Sequence, residues 1–129
     1  MSIASGKVVW TGRVISVLVS LLFLFSAALK LKGGPDLAKG MAHLGLPDSM
    51  TIPLAILEIS WVVIYLIPAT SFLGAVLLTG FLGGAICTHW RVGDPVYIHI
   101  VLGLFIWLGL YVREDRLKQL IPVRTATRT

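Results

Sequence analysis

The chain has 129 residues, enough for one domain. Hydrophobic residues make up 57% of it and charged residues 13%, and its mean hydropathy is +0.91. A soluble domain carries about 25% charged residues. So few charges cannot cover a surface facing water, which points to lipid as the solvent. The net charge of +5 invites a nucleic-acid reading. The basic residues, however, gather at the ends of apolar runs, where they set topology and meet anionic headgroups. Nucleic acid is therefore excluded as a partner, and membrane lipid is expected. A single cysteine excludes an internal disulfide, a CxxC redox pair and a four-cysteine metal site.

The first apolar run, Val14 to Leu29, closes on Lys30 and Lys32. Ser26-Ala-Ala looks like a signal-peptide cleavage site, but the chain keeps Met1 and more apolar runs follow, so a retained first helix is expected. Ser16 and Ser20, four apart, form a small face suited to close helix contact. Gly33-Gly34 ends this helix, and Pro35-Asp36 suits the first turn of another. Leu37, Met41 and Leu44 recur at helical spacing, which predicts a short amphipathic helix with His43 on its surface. The second run, Ile52 to Ile67, contains one charge, Glu58. The third, Phe72 to Thr88, carries Gly80-Phe-Leu-Gly-Gly84, a GxxxG pattern that lets backbones approach in lipid. The fourth, Val96 to Val112, is expected to continue through Arg113 to Lys118 into solvent.

The reading is all-α: an integral membrane four-helix bundle with a short amphipathic connector helix between spans 1 and 2. One transmembrane domain covers the chain, with spans near 10–31, 52–67, 72–89 and 96–113 and a disordered tail over 119–129. The apolar runs alone measure about 25 Å at 1.5 Å per residue, short of a core of about 30 Å. Trp10, Trp90, Tyr97 and Tyr111 are expected to extend them into the interface. Lys7, Arg13, Arg113, Arg116, Lys118, Arg124 and Arg128 fall on one side, and Lys30, Lys32, Lys39 and Arg91 on the other. The richer side is expected to be cytoplasmic, with both termini there and the protein multi-pass in the inner membrane.

This connectivity brings most of the polar side chains to the outer half. Glu58 lies about 9 Å deep on the helix rise, and an ionisable residue inside a span is expensive and usually faces the bundle interior. His99 lies about one turn into the fourth span and is the expected partner of Glu58, with Arg91 second. His89 ends the third span. Lys30 and His43 lie nearby, and Trp61, one turn from Glu58, is expected to border the same pocket. Arg91 and Asp94 read as a loop-ordering ion pair, and Cys87 as a small buried hydrophobe. The inner half shows no comparable polar set. A metal would need His89, His99 and Glu58 from three helices, and haem would need two histidines; both are permitted and neither is indicated.

The sequence Ala27-Ala-Leu-Lys-Leu31, the segment His43-Leu-Gly-Leu-Pro47, the embedded Glu58 and above all Thr88-His-Trp-Arg-Val-Gly-Asp-Pro95 together resemble the DoxX-like family of small bacterial four-helix membrane proteins, over roughly residues 10–118. The resemblance implies a four-helix membrane bundle and a link to quinone-coupled sulfur oxidation, since one such subunit belongs to a thiosulfate:quinone oxidoreductase. It carries over no catalytic residues. The first expected function is a redox-associated subunit whose outer-half pocket holds a quinone or other small lipophilic molecule. Glu58, His99 and His89 would do its proton chemistry, Arg91, Asp94, Trp61 and Lys30 would bind the ligand, and a partner protein would supply electrons. The alternatives are a self-sufficient isomerase or hydrolase using Glu58 and a histidine, or a structural protein. A homo-oligomer is compatible with each.

Overall fold

The computed structural model describes residues 6–121. Among these residues six α-helices follow one another: α1 (Gly6–Lys32), α2 (Pro35–His43), α3 (Thr51–Leu66), α4 (Ser71–Arg91), α5 (Tyr97–Arg113) and α6 (Asp115–Leu120). The described residues contain no strand. α1, α3 with its leading 3-10 turn, and α4 with its own are long and apolar enough to cross a membrane, and α5 is a shorter apolar helix of 17 residues. α1, α3, α4 and α5 form an up-down-up-down bundle, in which α1 packs on α3 and α5, and α4 closes the ring between them.

The distribution of polar groups is that of a membrane protein. Leucine, valine and phenylalanine side chains cover the outside of α1, α3 and α5, while Ser16, Ser20, Glu58 and Ser71 are buried. Trp10 stands exposed at one end of the bundle, and Trp90 and Tyr97 at the other, where amphipathic rings meet headgroups.

The two ends of the bundle are packed differently. At the end where α1 begins and α5 stops (the far end), backbones touch. A Cβ on Gly12 would lie 2.8 Å from the Gly109 carbonyl oxygen, and one on Gly109 would lie 2.7 Å from Ser16 Oγ. Gly74 sits against the backbone of Tyr65. Tyr65 is itself fully buried. Its hydroxyl donates to the Ile106 carbonyl at 2.7 Å and accepts from Ser16 Oγ at 3.1 Å. Arg113 donates to the Tyr65 carbonyl at 3.0 Å and lies 5.1 Å from the centre of its ring. The far end therefore holds a polar knot that the sequence reading did not anticipate. Its members lie on three helices, about fifty positions apart in the chain, and separately each looks like an ordinary apolar-span or interfacial residue.

The GxxxG glycines do not pack helices together. A Cβ on Gly80, Gly83 or Gly84 would meet nothing within 4 Å. The helices are tight where Gly12, Gly74 and Gly109 lie, and apart where Gly80 and Gly84 lie. That divergence makes room for a cavity at the other end, which α2 covers (the capped end). Gly33 and Gly34, at φ 69° and 112°, turn the chain from α1 into α2 through backbone that other residues rarely adopt.

The fourth span does not run on into solvent as one helix. Glu114 is extended, at φ −121° and ψ 106°, and caps the separate helix α6 through the Arg116 amide. Residues 119 and 120 are helical, Ile121 is a bend, and the remainder of the expected tail, 122–129, lies outside the described residues. Leu117 of α6 is buried against the core.

Candidate functional site

The four span helices line a partly open cavity of about 690 Å³ at the capped end, and α2 supplies a further wall. Its surface is largely apolar, with Phe23, Met41, Leu54 and Leu82 among the residues that line it. Polar side chains reach it from two opposite directions.

On the α1–α3 side stands a three-membered cluster. Ser26 and Lys30 are four residues apart on α1 and so share a face. Lys30 Nζ donates to Ser26 Oγ at 2.8 Å and to Glu58 Oε1 at 2.9 Å, and Ser26 Oγ donates to Glu58 Oε1 at 3.2 Å. The Glu58 side chain is 3% exposed and the Lys30 side chain 16%. Both partners of the ion pair are thus withdrawn from water, and the second carboxylate oxygen, Oε2, is buried with no hydrogen-bond partner.

On the α4–α5 side, the rings of His89 and His99 are in contact, with centroids 4.6 Å apart. His89 Nδ1 lies 2.8 Å from the Ala85 carbonyl oxygen. A carbonyl can only accept, so Nδ1 carries the proton and the neutral ring keeps its lone pair on Nε2. His99 Nδ1 is buried without a partner. Rings already in contact leave no room for a porphyrin between them. Among the described residues no three His, Cys, Asp or Glu side chains are grouped closely enough to hold a metal ion.

α2 is tied down from the α4–α5 loop. His43 Nε2 lies 2.9 and 3.0 Å from the Asp94 carboxylate oxygens, and Arg91 donates to the carbonyl of Leu44, the residue that caps the end of α2. Arg91, the last residue of α4, and Asp94 of the loop therefore do not pair with one another as expected. Each reaches across to α2 instead, because α2 brings an imidazole and a free helix-end carbonyl within range.

Of the residues singled out from the sequence, Glu58, Lys30, His89, His99 and Asp94 border one cavity. Arg91 and Trp61 are not among the residues lining it. Trp61 packs against the apolar core, and Arg91 borders a shallower groove with Cys87 and Trp90. Cys87 is exposed rather than buried. The observed partner of Glu58 is Lys30, in place of His99 or Arg91. Depth along the helix axis matched Glu58 to His99, but the direction in which each side chain leaves its helix decides contact. Ser26 was missed as a site residue. The signal that finds it is its place one turn before Lys30, on the same face.

No curated protein and no solved structure matches the chain. A family model does match, described as the DoxX-like family, over residues 14–112. That segment takes in α1 from Val14 onward, α2, α3, α4, α5 as far as Val112 and every polar side chain of the cavity, and on it the chain belongs to the DoxX-like family.

Proposed function

We propose that this membrane protein holds a small lipophilic molecule of the quinone class in the cavity at its capped end, as a redox-associated subunit. One observation supports this most. An apolar cavity of about 690 Å³, within the range of small-molecule sites, has polar groups on two facing walls, Lys30 with Glu58 and His89 with His99. A flat ring carrying an oxygen at each end can address both walls while its hydrocarbon rests on Phe23, Leu54 and Leu82. Electrons would reach the bound molecule from a partner protein. A self-sufficient acid–base enzyme working through Glu58 and a histidine is favoured less, because Glu58 is held in an ion pair with Lys30 on the α1–α3 side, while His89 and His99 contact each other on the α4–α5 side.

The test uses Gly84, which borders the cavity and has open space where a side chain would project. Titrating decylbenzoquinone into the detergent-purified protein is expected to quench tryptophan fluorescence to saturation. Gly84→Phe, which adds a ring at the cavity border where a Cβ meets nothing within 4 Å, is expected to raise the half-saturating concentration at least about tenfold. Equal, non-saturating quenching in both proteins would remove the proposal.

The positive-inside rule supports an inner-membrane orientation with the far end in the cytoplasm and the cavity opening toward the outer face. In a Cys87→Ser background, Pro95→Cys, in the exposed part of the α4–α5 loop, is expected to react with a membrane-impermeant maleimide in intact cells. Labelling only after the inner face is exposed would reverse the orientation.

A further inference from the structure

The polar groups of the cavity are unevenly supplied with protons. Ser26 spends its one hydroxyl proton on Glu58 Oε1, and Thr88 spends its own on the Gly84 carbonyl at 2.7 Å. His89 spends its Nδ1 proton on Ala85. What these cavity-lining side chains have left to offer is acceptors: Glu58 Oε2, which is buried and unpartnered, the Nε2 lone pair of the neutral His89 ring, and the Thr88 oxygen. His99 adds one N–H and one lone pair whichever tautomer it takes, so it leaves the balance unchanged. The clear spare donor is the third N–H of the Lys30 ammonium, two of which are engaged.

We infer that the cavity selects lipophilic molecules that bring their own hydroxyl proton, phenols and hydroquinones above all, over ethers or ketones of the same carbon skeleton. This rests on the cavity being the binding site. A hydroxyl fits the α1–α3 wall in both of its capacities. Its oxygen accepts the spare N–H of Lys30, and its proton goes to Glu58 Oε2. A carbonyl or ether oxygen makes only the first of these bonds and leaves a buried carboxylate oxygen unsatisfied, which costs more than never having the bond. A second hydroxyl at the far side of a ring finds the His89 lone pair. Of the two redox forms of a quinone, this is the quinol.

The test compares 4-octylphenol with 4-octylanisole, which differ by replacing the hydroxyl hydrogen with a methyl group and need no redox control. Each is titrated against the purified protein in detergent, and the shift in unfolding temperature is read as a function of concentration. The phenol is expected to act at a concentration at least about tenfold lower, the worth of one hydrogen bond to a charged group. Glu58→Gln, whose amide supplies a donor as well as an acceptor, is expected to shrink that ratio toward one. If phenol and anisole bind alike in the wild-type protein, and Gly84→Phe abolishes both, the hydroxyl preference is wrong and the cavity reading stands. If neither binds, or both bind regardless of Gly84→Phe, both fall. The wild-type comparison decides the matter even if Glu58→Gln does not fold.

Discussion

Lys30→Met is expected to destabilise the protein by about 3–5 kcal/mol, the loss seen when one partner of a buried ion pair is removed, whereas Glu58→Gln is expected to lose only about 1–2 kcal/mol. The asymmetry follows from what each substitution leaves behind. Without Lys30, Glu58 remains 3% exposed, two turns into α3, on a side chain too short to reach water. Its remaining hydrogen bond is the one from Ser26. Without Glu58, Lys30 sits in the last turn of α1, already 16% exposed, with a four-carbon stem that can carry its ammonium out to the interface. The double variant Lys30→Met/Glu58→Leu removes both charges and refills the space with hydrocarbon. It is expected to lie within about 1 kcal/mol of wild type, so the two single effects do not add. Reversible unfolding in mixed micelles, followed by circular dichroism, measures all three. Equal losses in the single variants, or an additive double, would mean that Lys30 and Glu58 are not a coupled buried pair.

The membrane bundle was legible because the four spans are apolar throughout and the breaks between them carry glycine, proline and charge. The connector helix was legible from Leu37, Met41 and Leu44. What composition and periodicity could not supply was the direction in which each span faces. In water an apolar stripe marks the inner side of a helix. In lipid both sides are apolar, and the stripe disappears. Gly80 and Gly84 therefore looked like a packing motif on spacing alone, while the close contacts fall to Gly12, Gly74 and Gly109, none of which shares a motif with another. The same loss of direction explains Glu58. Its depth was estimated from helix rise, and its membership of a polar cavity followed, but rise is silent about whether α1 or α5 stands in front of it. His43 and Asp94 illustrate a different limit. They meet only because α2 folds back over the α4–α5 loop, a placement that depends on the turn at Gly33 and Gly34 and leaves no trace in local spacing.

Gly74→Ala is expected to cost about 3 kcal/mol, while Gly80→Ala and Gly84→Ala are expected to be neutral or to gain up to about 1 kcal/mol. All three glycines lie on α4 and all three changes add one methyl group, so helix propensity alone favours alanine at each, by up to about 1 kcal/mol. The difference lies in what the methyl meets. At Gly80 and Gly84 it meets open space. At Gly74 it falls on the backbone nitrogen and Cα of Tyr65, atoms that cannot rotate away as a flexible side chain would. Nor can Tyr65 easily retreat as a unit. Its hydroxyl is held by Ile106 and Ser16, and its carbonyl by Arg113, so moving α3 from α4 breaks bonds to α5 and α1 as well. Over-packing a well-filled core costs about 1–3 kcal/mol, and a rigid backbone contact belongs at the upper end of that range. In lipid, moreover, no hydrophobic pressure pushes parted helices back together. Unfolding of the three variants under identical micelle conditions gives the ranking directly. If Gly80→Ala or Gly84→Ala proves the more damaging, the helices meet at the capped end, and the cavity between them is not there to be filled.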